Sequence, residues 1–176
     1  MSFKGGFGMK IKYLCLTSVF AALVFIITRF IQIPIPLGYF NIGNCMILSF
    51  SLFLPMPYAV VMGGIGSALA DLTSYPEWTI PTLIIKMLMP FVFKLLMSIR
   101  FPKSKIILAV IAGAVSMLIP LFGYTVSGMI LYGSVAAGLS QFVGLSLEYA
   151  ANLFLFIVMY IVIDRTHLVA LVKRDN

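Results

Sequence analysis

Two pairs of side chains able to do chemistry stand one helical turn apart in otherwise apolar sequence: Glu148 with Asn152, and Thr82 with Lys86. A carboxylate beside an amide offers acceptors and donors to one small polar ligand, and a lysine can meet an anion or pair with a carboxylate. Gln141 extends the first pair into an i, i+7, i+11 stripe if its helix reaches back that far. Gly63, Ser67 and Asp71 recur at i, i+4, i+8, a nearly bare helical face that ends in a carboxylate. Tyr75, Trp78, Tyr124 and Tyr149 add rings with polar edges, beside Tyr39 and Tyr132. Aromatic walls with a few convergent polar groups describe a small-molecule pocket. Plainer roles stand beside this one. The rings fit an interfacial aromatic belt, Asp71 a helix end, and Lys86 a structural pairing with Asp71 or Glu148. A charge inside an apolar helix costs about 2.5–3.5 kcal/mol, a cost easier to rationalise at Glu148 if it binds something.

The elements that must position these groups are membrane helices. The 176 residues are 62% hydrophobic and 10% charged, and mean hydropathy is +1.13. A soluble domain is nearer half apolar and a quarter charged, so the composition predicts an all-α integral membrane protein. Apolar periodicity and proline placement predict six transmembrane helices in a single domain, at about 13–31, 41–54, 58–73, 80–98, 106–123 and 142–163. Pro34 and Pro36 break the chain after the first, Pro55 and Pro57 after the second, and Pro81 opens the fourth. Pro120 predicts a kink or stop in the fifth, and the Gly- and Ser-rich stretch after it reads as a loop.

The net charge of +7 raises nucleic acid as a partner, but its placement points to the bilayer. Lys4, Lys10, Lys12, Arg100, Lys103, Lys105, Arg165, Lys173 and Arg174 all fall on one side of a six-span chain. The three loops of the other side carry no Lys or Arg. By the positive-inside rule both termini are cytoplasmic, and no nucleic-acid partner is needed. Arg29 and Lys94 lie near helix ends, where long cations reach the interface. Cys15 and Cys45 fall on different helices at opposite depths, which argues against a disulfide. No P-loop, GxSxG, HExxH or CxxC pattern occurs, and His167 is the only histidine. The sequence therefore predicts no catalytic residue, metal or cofactor.

Three segments in order carry a resemblance: Phe40-Asn41-Ile42-Gly43-Asn44, then Gly63 to Leu72 with its Gly-rich helix ending in Asp71, then Trp78 to Lys86. With the size and span layout, the chain resembles the substrate-binding S component of an energy-coupling factor (ECF) vitamin transporter. It departs at Asn44, where an Asp is common in that family. The resemblance adds Asn41 and Asn44 to the expected binding residues. It implies a bacterial plasma-membrane subunit that captures a vitamin or precursor outside and docks on a transmembrane coupling subunit with two ATPases. Delivery inward is then by tilting. The closest subgroup is the hydroxymethylpyrimidine or vitamin B6 type, and an S component for another vitamin such as riboflavin is the alternative. The family's docking motif AxxxA is matched only by Thr17/Ala21 and Ser18/Ala22. The rival from a different class is a small intramembrane enzyme using Asp71, Lys86 and Glu148 as acid–base groups.

Overall fold

The structure, a computed structural model, describes residues 4–35, 38–99 and 104–174. Pro36, Arg100 and Lys103, which figure in the sequence reading, lie outside the described residues. The elements are α1 (Lys4–Phe30), a hairpin of β1 (Ile33–Ile35) and β2 (Gly38–Phe40), α2 (Gly43–Ser51), α3 (Met56–Ser74), a 3-10 turn (Pro76–Trp78), α4 (Thr79–Met97), α5 (Lys105–Leu131), α6 (Val135–Arg165) and α7 (Leu168–Arg174).

Prolines set most of the breaks. Pro55 precedes α3, which carries Pro57 in its first turn, and Pro76 opens the 3-10 turn. Ser104 caps α5, its hydroxyl accepting from the Ile107 N–H. Pro120 does not stop α5, which runs on to Leu131. Inside a helical bundle, neighbouring helices tolerate the break that proline makes in the ladder.

The predicted loop at 123–141 contracts to the turn between α5 and α6, where Gly133 takes φ +60°. The small residues that suggest a loop in water serve helix contact here. A Cβ on Gly138 would sit 2.5 Å from the Thr125 carbonyl of α5. The extension of α6 puts Gln141, Glu148 and Asn152 on one helix, and all three are buried.

The long helices follow one another as neighbours, α1 against α3, α3 against α4, α4 against α5 and α5 against α6. Their outward faces are Leu, Ile, Val and Phe, such as Ile80, Ile84, Val143 and Leu147, as a lipid-facing surface requires. Among the described residues, four helices are long and apolar enough to cross a membrane: Lys10–Phe30, Pro76–Met97, Lys105–Leu131 and Val135–Arg165.

The short α2 touches α1, α3, α4 and α6 and closes the ring from within. Seven of its residues, among them Asn44, Cys45, Ile47 and Leu48, are buried. At about 1.5 Å per residue its nine residues span about 14 Å, half of a bilayer core. The helix expected over 41–54 is therefore shorter than predicted. Ser49 and Ser51 return their hydroxyls to carbonyls four residues back, which hides them in this core position.

Below the site a core of Val24, Ile47, Leu48, Met62, Met89, Phe93, Met117 and Phe156 is sealed by a Phe20–Phe50 stack and an edge-on Phe93–Phe156 pair. The Lys12 ammonium donates to the Val172 carbonyl at 2.6 Å, so the first part of α1 and α7 meet at the end of the bundle opposite the hairpin. Cys15 is exposed, Cys45 is buried, and both are free thiols.

Candidate functional site

A cavity lies at the hairpin end, between α3, α4, α5 and α6. Its open space is about 40 Å³, measured as room for the centre of a water-sized sphere.

Asp71 sits at the end of the bare α3 face. One carboxylate oxygen accepts from the Tyr39 hydroxyl of β2, the other from Thr82 of α4. The single Thr82 proton is thus committed to Asp71, so the Tyr124 hydroxyl, 3.0 Å away, is the donor to Thr82. Tyr39 also stacks on Tyr75 at 5.4 Å, and Trp78 meets Tyr124 edge-on at 5.8 Å. The hairpin is therefore tied over the cavity through one phenol and one ring.

Lys86 is 2% exposed. A Cβ on Gly63 would lie 2.8 Å from the Lys86 carbonyl, so the bare α3 face is what lets this stretch of α4 close in. The Lys86 ammonium lies 5.4 Å from the Tyr124 ring centroid, in cation–π range. It donates to the Asn44 carbonyl oxygen, and the Asn44 amide nitrogen donates to Glu148 Oε1 at 2.9 Å.

Asn152, one turn below, is spent on backbone. Its Oδ1 accepts from the Cys45 N–H at 2.9 Å, and its Nδ2 donates to the Asn41 carbonyl at 2.8 Å and the Glu148 carbonyl at 3.0 Å. Asn41 turns its own Oδ1 back to the Gly43 N–H at 2.7 Å. Glu148 and Asn152 together therefore fasten the start of α2 to α6.

Of the expected binding residues, Asn41, Asp71, Tyr75, Trp78, Lys86, Tyr124 and Glu148 line the cavity. Asn44, Tyr149 and Asn152 do not. Asn44 and Tyr149 border a smaller void beside Pro120. Asn152 is fully buried with its amide consumed, and serves as a fastener. The cavity adds Thr28, Ser67, Leu145 and Gln141, with Tyr39 and Thr82. Ser67 belongs to the Gly63–Ser67–Asp71 face and was legible there. Thr28 had no signal beyond a polar residue near the end of an apolar helix.

Three of the lining groups have no hydrogen-bond partner among the described residues although they are buried: Thr28 Oγ1, Ser67 Oγ and Trp78 Nε1; Thr79 Oγ1, away from the cavity, is likewise unpaired there. Buried polar atoms are nearly always paired, so three open ones around one cavity call for a ligand that pairs them. Among the described residues, no cluster of His, Cys, Asp and Glu is placed to hold a metal.

The expected docking residues lie on a separate face. Thr17, Ser18, Ala21 and Ala22 line an apolar groove between α1 and α3, with Leu14, Phe25 and Ile65. Thr17 and Ser18 return their hydroxyls to the Tyr13 and Leu14 carbonyls, so the groove presents little polarity.

Comparison with known proteins agrees with this architecture. An uncharacterised protein of Pyrococcus woesei is 32% identical over 112 residues, covering 62% of this chain and 74% of its own length. The family model described as "ECF-type riboflavin transporter, S component" matches residues 8–163. That match takes in every element from α1 to α6 that builds the cavity, and the chain belongs to the ECF-type riboflavin transporter S component family.

Proposed function

We propose that this chain captures a flat heteroaromatic vitamin in the cavity under the hairpin. Membership of a transporter-component family makes it a membrane substrate-binding subunit rather than an enzyme, with a vitamin ligand and an ECF module as partners. Asp71, Lys86 and Glu148 are then recognition groups, not acid–base catalysts.

The observation that carries the reading is the open set of Thr28 Oγ1, Ser67 Oγ and Trp78 Nε1. Trp78 is a donor only, so it asks for a carbonyl or ring-nitrogen acceptor on the ligand, while each hydroxyl takes either role. Tyr75, Trp78 and Tyr124 supply faces for a ring. Riboflavin, which the family description names, has the flat, carbonyl-bearing ring that this set suits. A one-ring pyrimidine or pyridine vitamin, of the hydroxymethylpyrimidine or B6 kind, is the second reading, favoured by the small volume.

In this reading the chain crosses the membrane six times, α2 with the hairpin making one passage, and both termini are cytoplasmic. Lys10, Lys12, Lys105 and Arg165 lie at that end, and the hairpin faces outside. The host is a cell's plasma membrane. The α1–α3 groove docks the coupling subunit, and with its two ATPases the assembly tilts the loaded subunit to deliver its ligand. Mass spectrometry of small molecules released from the denatured, purified protein tests the proposal. A stoichiometric flavin, pyrimidine or pyridine supports it. Protein that arrives empty and binds none of the three at micromolar concentration refutes it.

A further inference from the structure

Lys86 and Glu148 carry opposite charges, line the same cavity and are buried, the circumstances in which an ion pair usually forms. They are joined instead through one amide: the Lys86 ammonium donates to the Asn44 carbonyl oxygen, and the Asn44 NH2 donates to Glu148 Oε1 at 2.9 Å. Asn44 itself does not line that cavity. The orientation of its amide is unambiguous, because ammonium offers only donors and carboxylate only acceptors.

From this geometry we infer that Asn44 is a positioning residue, a neutral spacer that stops Lys86 and Glu148 from closing on each other and so leaves both turned to the ligand. An ammonium with one donor taken keeps two, and a carboxylate with Oε1 occupied keeps Oε2. A direct ion pair would use up these positions and present the ligand with a neutralised wall. The spacer is well anchored. It stands on the second residue of α2, whose start is fixed to α6 by Asn152, through the Cys45 N–H and the Asn41 carbonyl. The cavity accordingly offers a donor edge at Lys86 and an acceptor edge at Glu148. A ligand with adjacent acceptor and donor groups, as a cyclic imide or amidine edge has, satisfies both. This inference rests on the proposed ligand-binding role of the cavity and names the ligand edge that the two charges read.

The test is a double-substitution cycle on the full-length protein in detergent, read by thermal unfolding and by titration with riboflavin, whose fluorescence reports binding. Asn44→Ala is expected to lower riboflavin affinity at least tenfold with little change in unfolding temperature, because Lys86 and Glu148 then pair directly. Adding Asn44→Ala to Glu148→Gln is expected to cost little further affinity, since a neutral Gln no longer draws Lys86 in. Asn44→Asp keeps the shape but pairs with Lys86, and is expected to lose affinity as alanine does. Effects of Asn44→Ala and Glu148→Gln that simply multiply, or Asn44→Asp binding like the native protein, would overturn the spacer. If the native protein does not bind riboflavin, that choice of ligand fails while the spacer is still judged by unfolding. Asn44→Ala must then leave the transition nearly unmoved, and a large drop marks a purely structural amide and refutes it.

Discussion

Replacing Asn152 by Ala separates the two roles that its position on α6 allows. Read from sequence, Asn152 is a ligand contact whose loss weakens binding and leaves folding nearly intact. The structure predicts the opposite emphasis. Three hydrogen bonds disappear, and two backbone groups, the Cys45 N–H and the Asn41 carbonyl, lose the partner that Asn152 gave them in a buried place. Each such orphan costs about 1–3 kcal/mol, so the expected loss is about 2–6 kcal/mol. For a chain of this length each kcal/mol moves the unfolding midpoint by about 2–4 °C, so a mid-range loss lowers it by about 8–16 °C. The single tryptophan, Trp78, lies in the cavity and reports the transition by fluorescence in detergent. Asn152→Asp, which keeps the acceptor for Cys45 but not the donors, should fall between. An Asn152→Ala protein that melts within about 2 °C of the native one, yet binds ligand poorly, would show that Asn152 touches ligand and that the fastening argument is wrong.

Trp78→Phe removes a donor that has no partner in the empty protein, so stability should hold while ligand affinity drops about 2- to 13-fold, the worth of one net hydrogen bond, by isothermal titration. Asp71→Leu leaves the Tyr39 and Thr82 hydroxyls without their acceptor and should free the hairpin, seen as faster amide exchange at residues 38–40; unchanged exchange would mean that the Tyr39–Tyr75 stack alone holds it. Gly63→Val forces a side chain against the Lys86 carbonyl and should lower both unfolding temperature and affinity, since α4 must back away. Ala22→Trp fills the exposed α1 groove and should spare ligand binding while abolishing uptake in reconstituted vesicles; surviving uptake would move the docking face elsewhere.

The class of the protein and most of its cavity were legible because membrane sequence leaves polar groups few places to go. Asp71, Lys86 and Glu148 stood out as charges in apolar runs, and all three meet at the cavity. What sequence could not show was which polar groups would spend themselves on backbone. Glu148 and Asn152 look alike at one-turn spacing, yet one faces the cavity and the other is consumed by residues 41–45, over 100 positions away. The lengths of α5 and α6 were hidden by glycine, which suggests a loop in water and close helix contact in a bilayer. Thr28 stayed invisible because an unpaired hydroxyl is a property of the assembled cavity and not of its local sequence.

The dependence of α2 on α6 also orders the making of the protein. Its partners stand 104 to 111 residues further along the chain, so a ribosome exposes α2 long before Glu148 and Asn152 exist. Nine residues are too few to hold a place across the bilayer alone, and their first amide groups have no lasting partner until then. During synthesis this segment must wait at the interface or lean on α1 and α3, and it seats only when the last long helix arrives. Nascent chains halted before Ser146 should therefore remain open to protease between Gln32 and Leu54, and chains released after Asn152 should close.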